Sequence, residues 1–211
     1  MTQQPKRNHS YHKGHAALFY ATLAQRLQFL GNYFSDGLDH GELCIFATPG
    51  PESQAIEDFD SVGLNIRPAV DEGRFKIFGM YDTYLPDGTF RPQTMLSNVA
   101  SFIRDSQSKG FAGLRTAGEM RWVNVYPDWL DALAQYEDDV NQLDSDHSFM
   151  GLCLYPLMSE STPILKAALD THPAFIYDGK MSLNPYTPDG ELRQTPIPED
   201  VTKFTELLAF A

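Results

Sequence analysis

Opposite charges, two glycines and a large ring come together in the stretch GLRTAGEMRW. Arg115 and Glu119 follow a short apolar run, and Trp122 supplies the ring. Strand ends are where open α/β sheets place ligands, so these residues are candidate ligand contacts. A second interpretation stays open, in which Arg115 is a buried cation, because a buried guanidinium needs acceptors. Those acceptors would be Glu42, Glu119 or Glu137.

Other candidate ligand contacts combine aromatic, sulfur, imidazole and carboxylate groups: Tyr81, Tyr84, Glu137, Cys153, Tyr155 and His172. Glu137 falls on the core side of a predicted helix, while the tyrosines and the cysteine end predicted strands or follow them. Such residues line small-molecule pockets, but plain core packing explains each one singly. For His172, which occupies the last turn of a predicted helix, capping is the alternative.

Several common kinds of chemistry have no motif in this sequence. No Gly-x-Ser-x-Gly elbow is present, and no cysteine has an evident activating base. The spacing of His9, His12 and His15 suits metal ligands, yet no cysteine or carboxylate cluster completes a recognisable site. The segment Thr48-Pro49-Gly50-Pro51 lacks the lysine and hydroxyl of a phosphate loop. We therefore predict no catalytic residue, no metal and no cofactor.

The amino-acid composition argues against nucleic acid and membranes as binding partners. The 211 residues carry a formal charge of −12, which repels nucleic acid and anionic lipid surfaces. No apolar run approaches the roughly 20 residues that span a bilayer, and the polar start lacks the apolar stretch of a secretory signal. We expect a cytoplasmic protein in which Cys44 and Cys153 are buried, reduced thiols.

Apolar runs alternate with segments of helical period, which favours a mainly parallel sheet flanked by helices. The predicted strands are Ala16–Tyr20, Leu43–Ala47, Phe75–Met80, Phe111–Leu114, Phe149–Tyr155 and Ala174–Tyr177. The predicted helices are Leu23–Phe34 with a stop at Gly37, Ile56–Val62 with a stop at Gly63, one marked by Met95–Ile103 that stops at Gly110, Trp129–Leu143, Thr162–His172 and Val201–Leu208. Surface turns are predicted at Pro86–Gly88 and Pro188–Gly190, the second within a proline-rich excursion from Asp178 to Pro198.

An ordered set of residues across nearly the whole chain resembles the MEDS family, the methanogen/methylotroph, dichloromethane-regulator sensory domain. Its marks are His15, Gly37-Leu38, Gly41-Glu42, Gly73 with Phe75, Tyr81, Tyr84, Gly113-Leu114-Arg115, Gly118-Glu119-Met120, Trp122, Tyr136-Glu137, Asn141, Cys153, Tyr155, His172-Pro173 and Asn184-Pro185-Tyr186. The resemblance implies an α/β, three-layer fold like that of RecA and KaiC, with a mainly parallel central sheet and a degenerate phosphate loop. The loop would have been lost between the first strand and the helix at Leu23–Phe34.

The resemblance also implies a sensory role, directed at small, simple hydrocarbon derivatives. We expect a flexible arm over residues 1–14 and one sensory domain over residues 15–211, with output through contacts to a histidine kinase or another regulator, and a homodimer as one form to consider. A pocket is expected at the carboxyl ends of the strands, near Glu119, Trp122, Tyr81 and Tyr155. The alternative function is a ligand-free protein-interaction adaptor, which would need a large exposed apolar patch instead of a pocket. An enzyme is the third hypothesis.

Overall fold

The computed structural model describes residues 13–143, 148–158 and 162–184. Within this part of the chain, one sheet of seven strands runs in the order β3-β2-β4-β5-β1-β6-β7. The strands are β1 (Lys13–Tyr20), β2 (Leu43–Thr48), β3 (Phe75–Gly79), β4 (Gly113–Glu119), β5 (Ser148–Pro156), β6 (Ala174–Tyr177) and β7 (Lys180–Leu183). All neighbouring strands are parallel except β6 and β7, which confirms the predicted mainly parallel sheet.

Helices cover both faces of the sheet. They are α1 (Leu23–Asp39), α2 (Glu52–Ser61), α3 (Arg67–Asp71), α4 (Met80–Tyr84), α5 (Pro92–Ser108), α6 (Trp122–Val125), α7 (Leu130–Asn141) and α8 (Thr162–Thr171), with a 3₁₀ turn at Pro127–Trp129. One core joins α1, α2 and α3 to the sheet and contains a group of mutually packed phenylalanines: Phe34, Phe46, Phe59 and Phe75. The other core joins α5, α7 and α8 to the opposite face.

Alternation along the strands decides which side chains meet. In β1, Ala16, Leu18 and Tyr20 belong to the α1 side, whereas Ala17 and Phe19 belong to the α7 side. The same period of two places Leu152 and Leu154 of β5 on the α1 side and its odd-numbered residues, 149 to 155, on the α7 side. Two separate interiors result, one on each side of a single sheet.

The connection between β1 and α1 is very short. Only Ala21 and Thr22 separate Tyr20 from Leu23. Thr22 caps the helix, since its side chain accepts a hydrogen bond from the Gln25 backbone N–H while the Gln25 side chain accepts from the backbone of Ala21 and Thr22. A phosphate loop is absent from this connection, as the resemblance implied.

Three predicted boundaries were wrong. The helix expected to stop at Gly37 continues to Asp39, and Gly41, with a φ of 73°, makes the turn that follows. The strand expected to end at Leu114 begins at Gly113 and runs to Glu119, so the charged residues lie inside it. The stretch after Asp178 was expected to be a surface excursion, yet Lys180–Leu183 pairs with β6.

Some predictions fall outside the described residues. These are the turn at Pro188–Gly190, the helix at Val201–Leu208, and His9 and His12 of the arm. The structure does show that β1 begins at Lys13, so the last two residues assigned to the arm belong to the sheet. Among the described helices, none has both the length and the apolar character needed to cross a membrane.

Candidate functional site

A pocket of about 300 Å³ lies between the sheet and the helices on the α7 side. Its floor consists of strand residues, which include Ile45, Ala47, Thr116, Gly118, Gly151 and Cys153. Its walls come from α4, α5 and α7 and include Tyr84, Met95, Val99, Phe102, Tyr136 and Val140. The lining is predominantly apolar, with a few polar groups, which is the usual composition of a small-molecule site.

The pocket runs from an exposed end to a buried end. Phe78, Asp82 and Asn98 line it and are exposed, and Phe78 stacks on Phe102 with 5.8 Å between ring centroids. At the other extreme, His15 and Cys153 line it and are buried. A molecule entering between α4 and α5 would therefore pass Asp82 and Asn98 at the exposed end, then the apolar walls, and would meet buried polar side chains at the far end.

Two glycines keep space open beside the strands. A Cβ at Gly118 would collide with the Tyr84 hydroxyl, and a Cβ at Gly151 would come within 3.1 Å of the Phe149 ring and 3.5 Å of the His15 ring. Tyr84 can therefore lie directly across β4 because residue 118 has no side chain. The glycine positions contribute to the shape of the pocket on its strand side.

Five polar side chains converge at the buried end of the pocket. His15 comes from β1, Cys153 and Tyr155 from β5, Glu137 from α7, and His172 from the residue that follows α8. Cys153 and Tyr155 are two residues apart and therefore share one face of their strand. We call His15, Glu137, Cys153 and His172 the buried quartet; none is more than 7% exposed.

Glu137 is the centre of the buried quartet. Its Oε2 lies 3.1 Å from His15 Nε2, 3.4 Å from Cys153 Sγ and 3.6 Å from His172 Nε2. Its Oε1 accepts a hydrogen bond of 2.9 Å from the Tyr155 hydroxyl. One carboxylate oxygen thus faces the three other members of the quartet, while the other oxygen is held by Tyr155.

The surroundings fix the charge of Glu137. Burial by itself would raise its pKa, but His172, His15 and the hydrogen bond from Tyr155 outweigh that effect and hold the pKa below its ordinary value. Burial and the Glu137 carboxylate raise the pKa of the Cys153 thiol and of the Tyr155 phenol well above their ordinary values. Near neutral pH, Glu137 is therefore a carboxylate among neutral thiol and phenol donors.

Outer hydrogen bonds orient both imidazoles. His15 Nδ1 lies 3.0 Å from Asn141 Oδ1, and the Asn141 amide nitrogen donates to the carbonyls of Glu137 and Thr171, which assigns Oδ1 as the acceptor. His172 Nδ1 lies 2.8 Å from the Ala168 carbonyl, which can only accept. Each ring therefore has its Nδ1–H facing outward and presents Nε2 to the quartet.

Arg115, a predicted ligand contact, lies on the opposite face of the sheet. It is fully buried; its Nε donates to Glu42 at 2.5 Å, Nη2 to Asp36 at 2.7 Å and Nη1 to the Tyr33 carbonyl at 2.6 Å. Burial acts to lower its pKa, but Glu42 more than compensates and the pKa lies above its ordinary value. Of the three acceptors expected, Glu42 is the one used. Asp36 was not anticipated.

Glu119 forms a separate charged cluster at the carboxyl ends of β1 and β4. Its buried carboxylate accepts from the Tyr20 hydroxyl at 2.9 Å and from Arg26 Nη1 at 2.8 Å, and Arg121 donates to the Tyr20 hydroxyl at 3.1 Å. Burial and the Glu119 charge raise the pKa of Tyr20 to about 12. These side chains lie at the strand ends where the sequence predicted a pocket.

Trp122 and Tyr81 also lie outside the lining of the pocket. Trp122 is fully buried and packs against Tyr84 and Phe90, with ring centroids 5.6 Å and 5.0 Å away. Tyr81 is 45% exposed on α4. The predicted location of the pocket, near Glu119, Trp122, Tyr81 and Tyr155, was therefore wrong, because the space opens across the face of the sheet instead of above its strand ends. Of the predicted contacts, Tyr84 and Cys153 line it.

His15 is the principal residue that the predicted site omitted. It was noted as a mark of the family resemblance and as part of a histidine series, but the predicted strand began one residue after it. Thr116, Val99 and Gly151 were also missed as lining residues. In the structure, β1 and β5 pair so that His15 and Cys153 lie on the same face of the sheet, two positions apart. A predicted strand that began one residue earlier would have included His15.

A family model decides the relationship of this chain to known proteins. The model described as MEthanogen/methylotroph, DcmR Sensory domain matches residues 14–173. The chain belongs to the MEDS family. A sensory or signalling role follows from that membership at the level of the family. No curated protein matches the sequence.

Two solved structures share the fold of this chain. A KaiC-like protein from the hyperthermophilic archaeon Pyrococcus horikoshii superposes with a TM-score of 0.56 at 10% identity, covering 78% of this chain and 71% of that one. An uncharacterised protein from the same organism, solved in complex with an unknown peptide, gives a TM-score of 0.56 at 12% identity, with 85% and 86% covered. At these identities the similarity establishes the KaiC-like fold alone.

Proposed function

We propose that this MEDS domain is a non-enzymatic sensor that binds a small, weakly polar molecule in the pocket between the sheet and α5. The observation that carries the proposal is the pocket itself, which joins an exposed end beside Asp82 and Asn98 to buried polar groups. Its volume of about 300 Å³ stands at the lower end of small-molecule sites. The size fits a short-chain hydrocarbon derivative.

The lining favours a molecule with one polar end. Val99, Phe102 and Ile45 supply apolar contact area for a hydrocarbon portion, which gains free energy when it leaves water. Thr116 along the floor offers its hydroxyl to a hydroxyl, amine or halogen. Such an arrangement would select by size first and by the single polar group second.

The signal would pass through the helices that border the pocket. Residues of α4, α5 and α7 contact the space directly, and α7 also packs against α8. An occupant would favour the arrangement of these helices that contacts it best, which is how a ligand shifts a population. We propose that a partner such as a histidine kinase or another regulator reads the change. The formal charge of −12 argues against nucleic acid as that partner.

Trp122 provides a test because it stacks on Tyr84, a lining residue, with 5.6 Å between centroids and an angle of 23°. The chain has two tryptophans, so Trp129→Phe leaves Trp122 as the sole indole. Titration of this variant with short-chain alcohols and halomethanes should give a saturable change in emission for some members of the series. A linear response to every compound would contradict a specific site.

A matched pair of substitutions assigns the response to the pocket. Val99→Phe places extra volume inside it and should weaken binding at least about tenfold, because overpacked sites exclude guests. Leu23→Phe is the control, since Leu23 is 54% exposed on the opposite side of the sheet, in α1. Equal affinities for the two variants would remove the pocket from the proposal. The adaptor hypothesis would then take precedence.

A further inference from the structure

We propose that the buried quartet is a binding site for a divalent cation of the zinc type. His15, Glu137, Cys153 and His172 each present one ligand atom, and all four atoms lie within 4.8 Å of one another. The inference goes beyond the sensory role. It stands on the geometry of these four side chains whether or not the pocket binds an organic molecule.

Four of the six separations between ligand atoms lie close to the edges of a coordination tetrahedron. Zinc bonds of 2.0–2.3 Å to nitrogen, oxygen and sulfur place neighbouring ligand atoms about 3.3–3.8 Å apart in a tetrahedron. From Glu137 Oε2 the other ligand atoms lie 3.1 Å, 3.4 Å and 3.6 Å away, and His15 Nε2 lies 3.4 Å from Cys153 Sγ. Small rotations of the side chains would bring all four onto one ion.

The outer hydrogen bonds are those that metal ligands require. A ligating imidazole ordinarily donates its second N–H to a carbonyl or carboxylate oxygen, which fixes the ring and the tautomer. Asn141 Oδ1 serves His15 in this way, and the Ala168 carbonyl serves His172. The Tyr155 hydroxyl holds Glu137 Oε1 and so leaves Oε2 for the ion.

The ligand types select the metal. Sulfur and imidazole nitrogen suit zinc and its neighbours among the transition metals, whereas magnesium and calcium prefer oxygen alone. A thiolate from Cys153 and the Glu137 carboxylate together carry two negative charges, which balance a divalent ion between two neutral imidazoles. Neutrality matters here because an unbalanced charge in a buried site is costly. The thiol proton, and any Nε2 proton that a histidine donates to Glu137 Oε2, would leave to solvent when the metal binds.

The quartet also joins distant parts of the chain. Its members come from β1, α7, β5 and the end of α8, so one ion would fasten the middle of the sheet to two helices. His15 and Cys153 line the pocket as well. An ion bound there would therefore form part of the wall at the buried end.

Cobalt substitution tests the site with the full chain. We expect protein refolded with one equivalent of Co²⁺ to show a sulfur-to-cobalt charge-transfer band and the visible bands of tetrahedral cobalt, and zinc to displace it at one ion per chain. Cys153→Ser should abolish the charge-transfer band. Cys44→Ser is the matched control, because Cys44 is also buried but lies on the other face of the sheet, and it should keep the band.

Two further variants separate ligation from folding. Asn141→Leu removes the partner of His15 without removing a ligand and should weaken zinc binding about 10- to 100-fold while cobalt keeps its tetrahedral spectrum. Glu137→Gln should weaken zinc binding more. Absence of the sulfur band in wild-type protein, or its survival in Cys153→Ser, would overturn the proposal. Histidines elsewhere in the chain cannot produce that band.

Discussion

Arg115 shows how a charge becomes part of an interior. Its guanidinium is fully buried and makes three hydrogen bonds, two of them to carboxylates, and it also lies over the Tyr33 ring at 4.8 Å. Removal of a partner from a buried ion pair is costly because the remaining charge stays uncompensated. Arg115 is accordingly a structural group of the α1 side, remote from the pocket on the α7 side.

Arg115→Ala should lower the free energy of unfolding by about 3–5 kcal/mol, because Glu42 would be left buried without its cation. Denaturant melts of both proteins measure the change. Arg91→Ala is the control: Arg91 also pairs with an aspartate, Asp87, but both are about half exposed, and such pairs contribute about 0–1 kcal/mol. Equal losses in the two variants would mean that Arg115 is not held as the structure places it.

The types of the site residues could be predicted from the sequence, but their grouping could not. Glu137, Cys153, Tyr155 and His172 were all singled out, and they do meet. Arg115 and Glu119 were grouped with them because their strand was thought to end before the charges. Since β4 continues to Glu119, alternation turns both side chains to the other face.

The connection between β1 and α1 decides what the start of α1 can bind. Backbone N–H groups at the start of a helix attract anions when they lack partners. Here the N–H groups of Ala21 and Thr22 donate to the Gln25 side chain, and the N–H of Gln25 donates to Thr22. These three backbone donors are therefore already engaged within the chain.

We therefore expect no binding of Mg-ATP, as measured by isothermal titration calorimetry of the full chain. The connection is two residues long and lacks the lysine for the phosphates, and both of its backbone N–H groups donate to the Gln25 side chain. Titration of the ATP solution into buffer supplies the baseline. Saturable heat with a micromolar dissociation constant would show that another part of the fold binds the nucleotide.

Gly37 has an unusual role inside α1. In a helix interior alanine is more favourable than glycine by about 1 kcal/mol. A Gly→Ala substitution at a helical position with free space around it would therefore stabilise the protein. A Cβ at Gly37, however, would lie 2.7 Å from Arg115 Nε and 3.0 Å from Cys44 Sγ. Because Arg115 is held by its acceptors, it cannot retreat. The glycine read as a helix stop is therefore a point of close packing against a buried cation.

Gly37→Ala should consequently destabilise the protein by about 1–3 kcal/mol, the usual cost of overpacking. Gln28→Ala, at an exposed position of the same helix, is the control and should change stability by less than about 0.5 kcal/mol. Thermal or denaturant unfolding of both variants gives the comparison. A stabilised Gly37→Ala protein would contradict the close contact.

At the scale of the whole molecule, local sequence patterns predicted the individual strands and helices better than the way in which they are arranged. Five of the predicted strands lie at their observed places because buried parallel strands are apolar runs. The hairpin that adds β7 was missed, although Asp178 and Gly179, with φ of 48° and 65°, are the residue types such a turn requires. The order of strands, which places β1 between β5 and β6, depends on contacts far apart in sequence.

The single sheet divides the molecule into a side built around a buried ion pair and a side that contains a pocket. Among the described residues the sheet separates the two interiors, so occupation of the pocket should order the helices that border it and leave the other side unchanged. Saturation with a compound identified by the Trp122 titration should slow amide hydrogen exchange in α4, α5 and α7, because an occupant adds contacts where the wall now borders space. Exchange in α1, α2 and α3 should stay the same, since their core lies across the sheet.

Hydrogen exchange followed by mass spectrometry resolves these segments. Val99→Phe without any compound should reproduce part of the protection in α5, and Leu23→Phe should not. Uniform protection of both sides would mean that the ligand stabilises the whole fold, and a signal confined to the pocket side would then have to be abandoned.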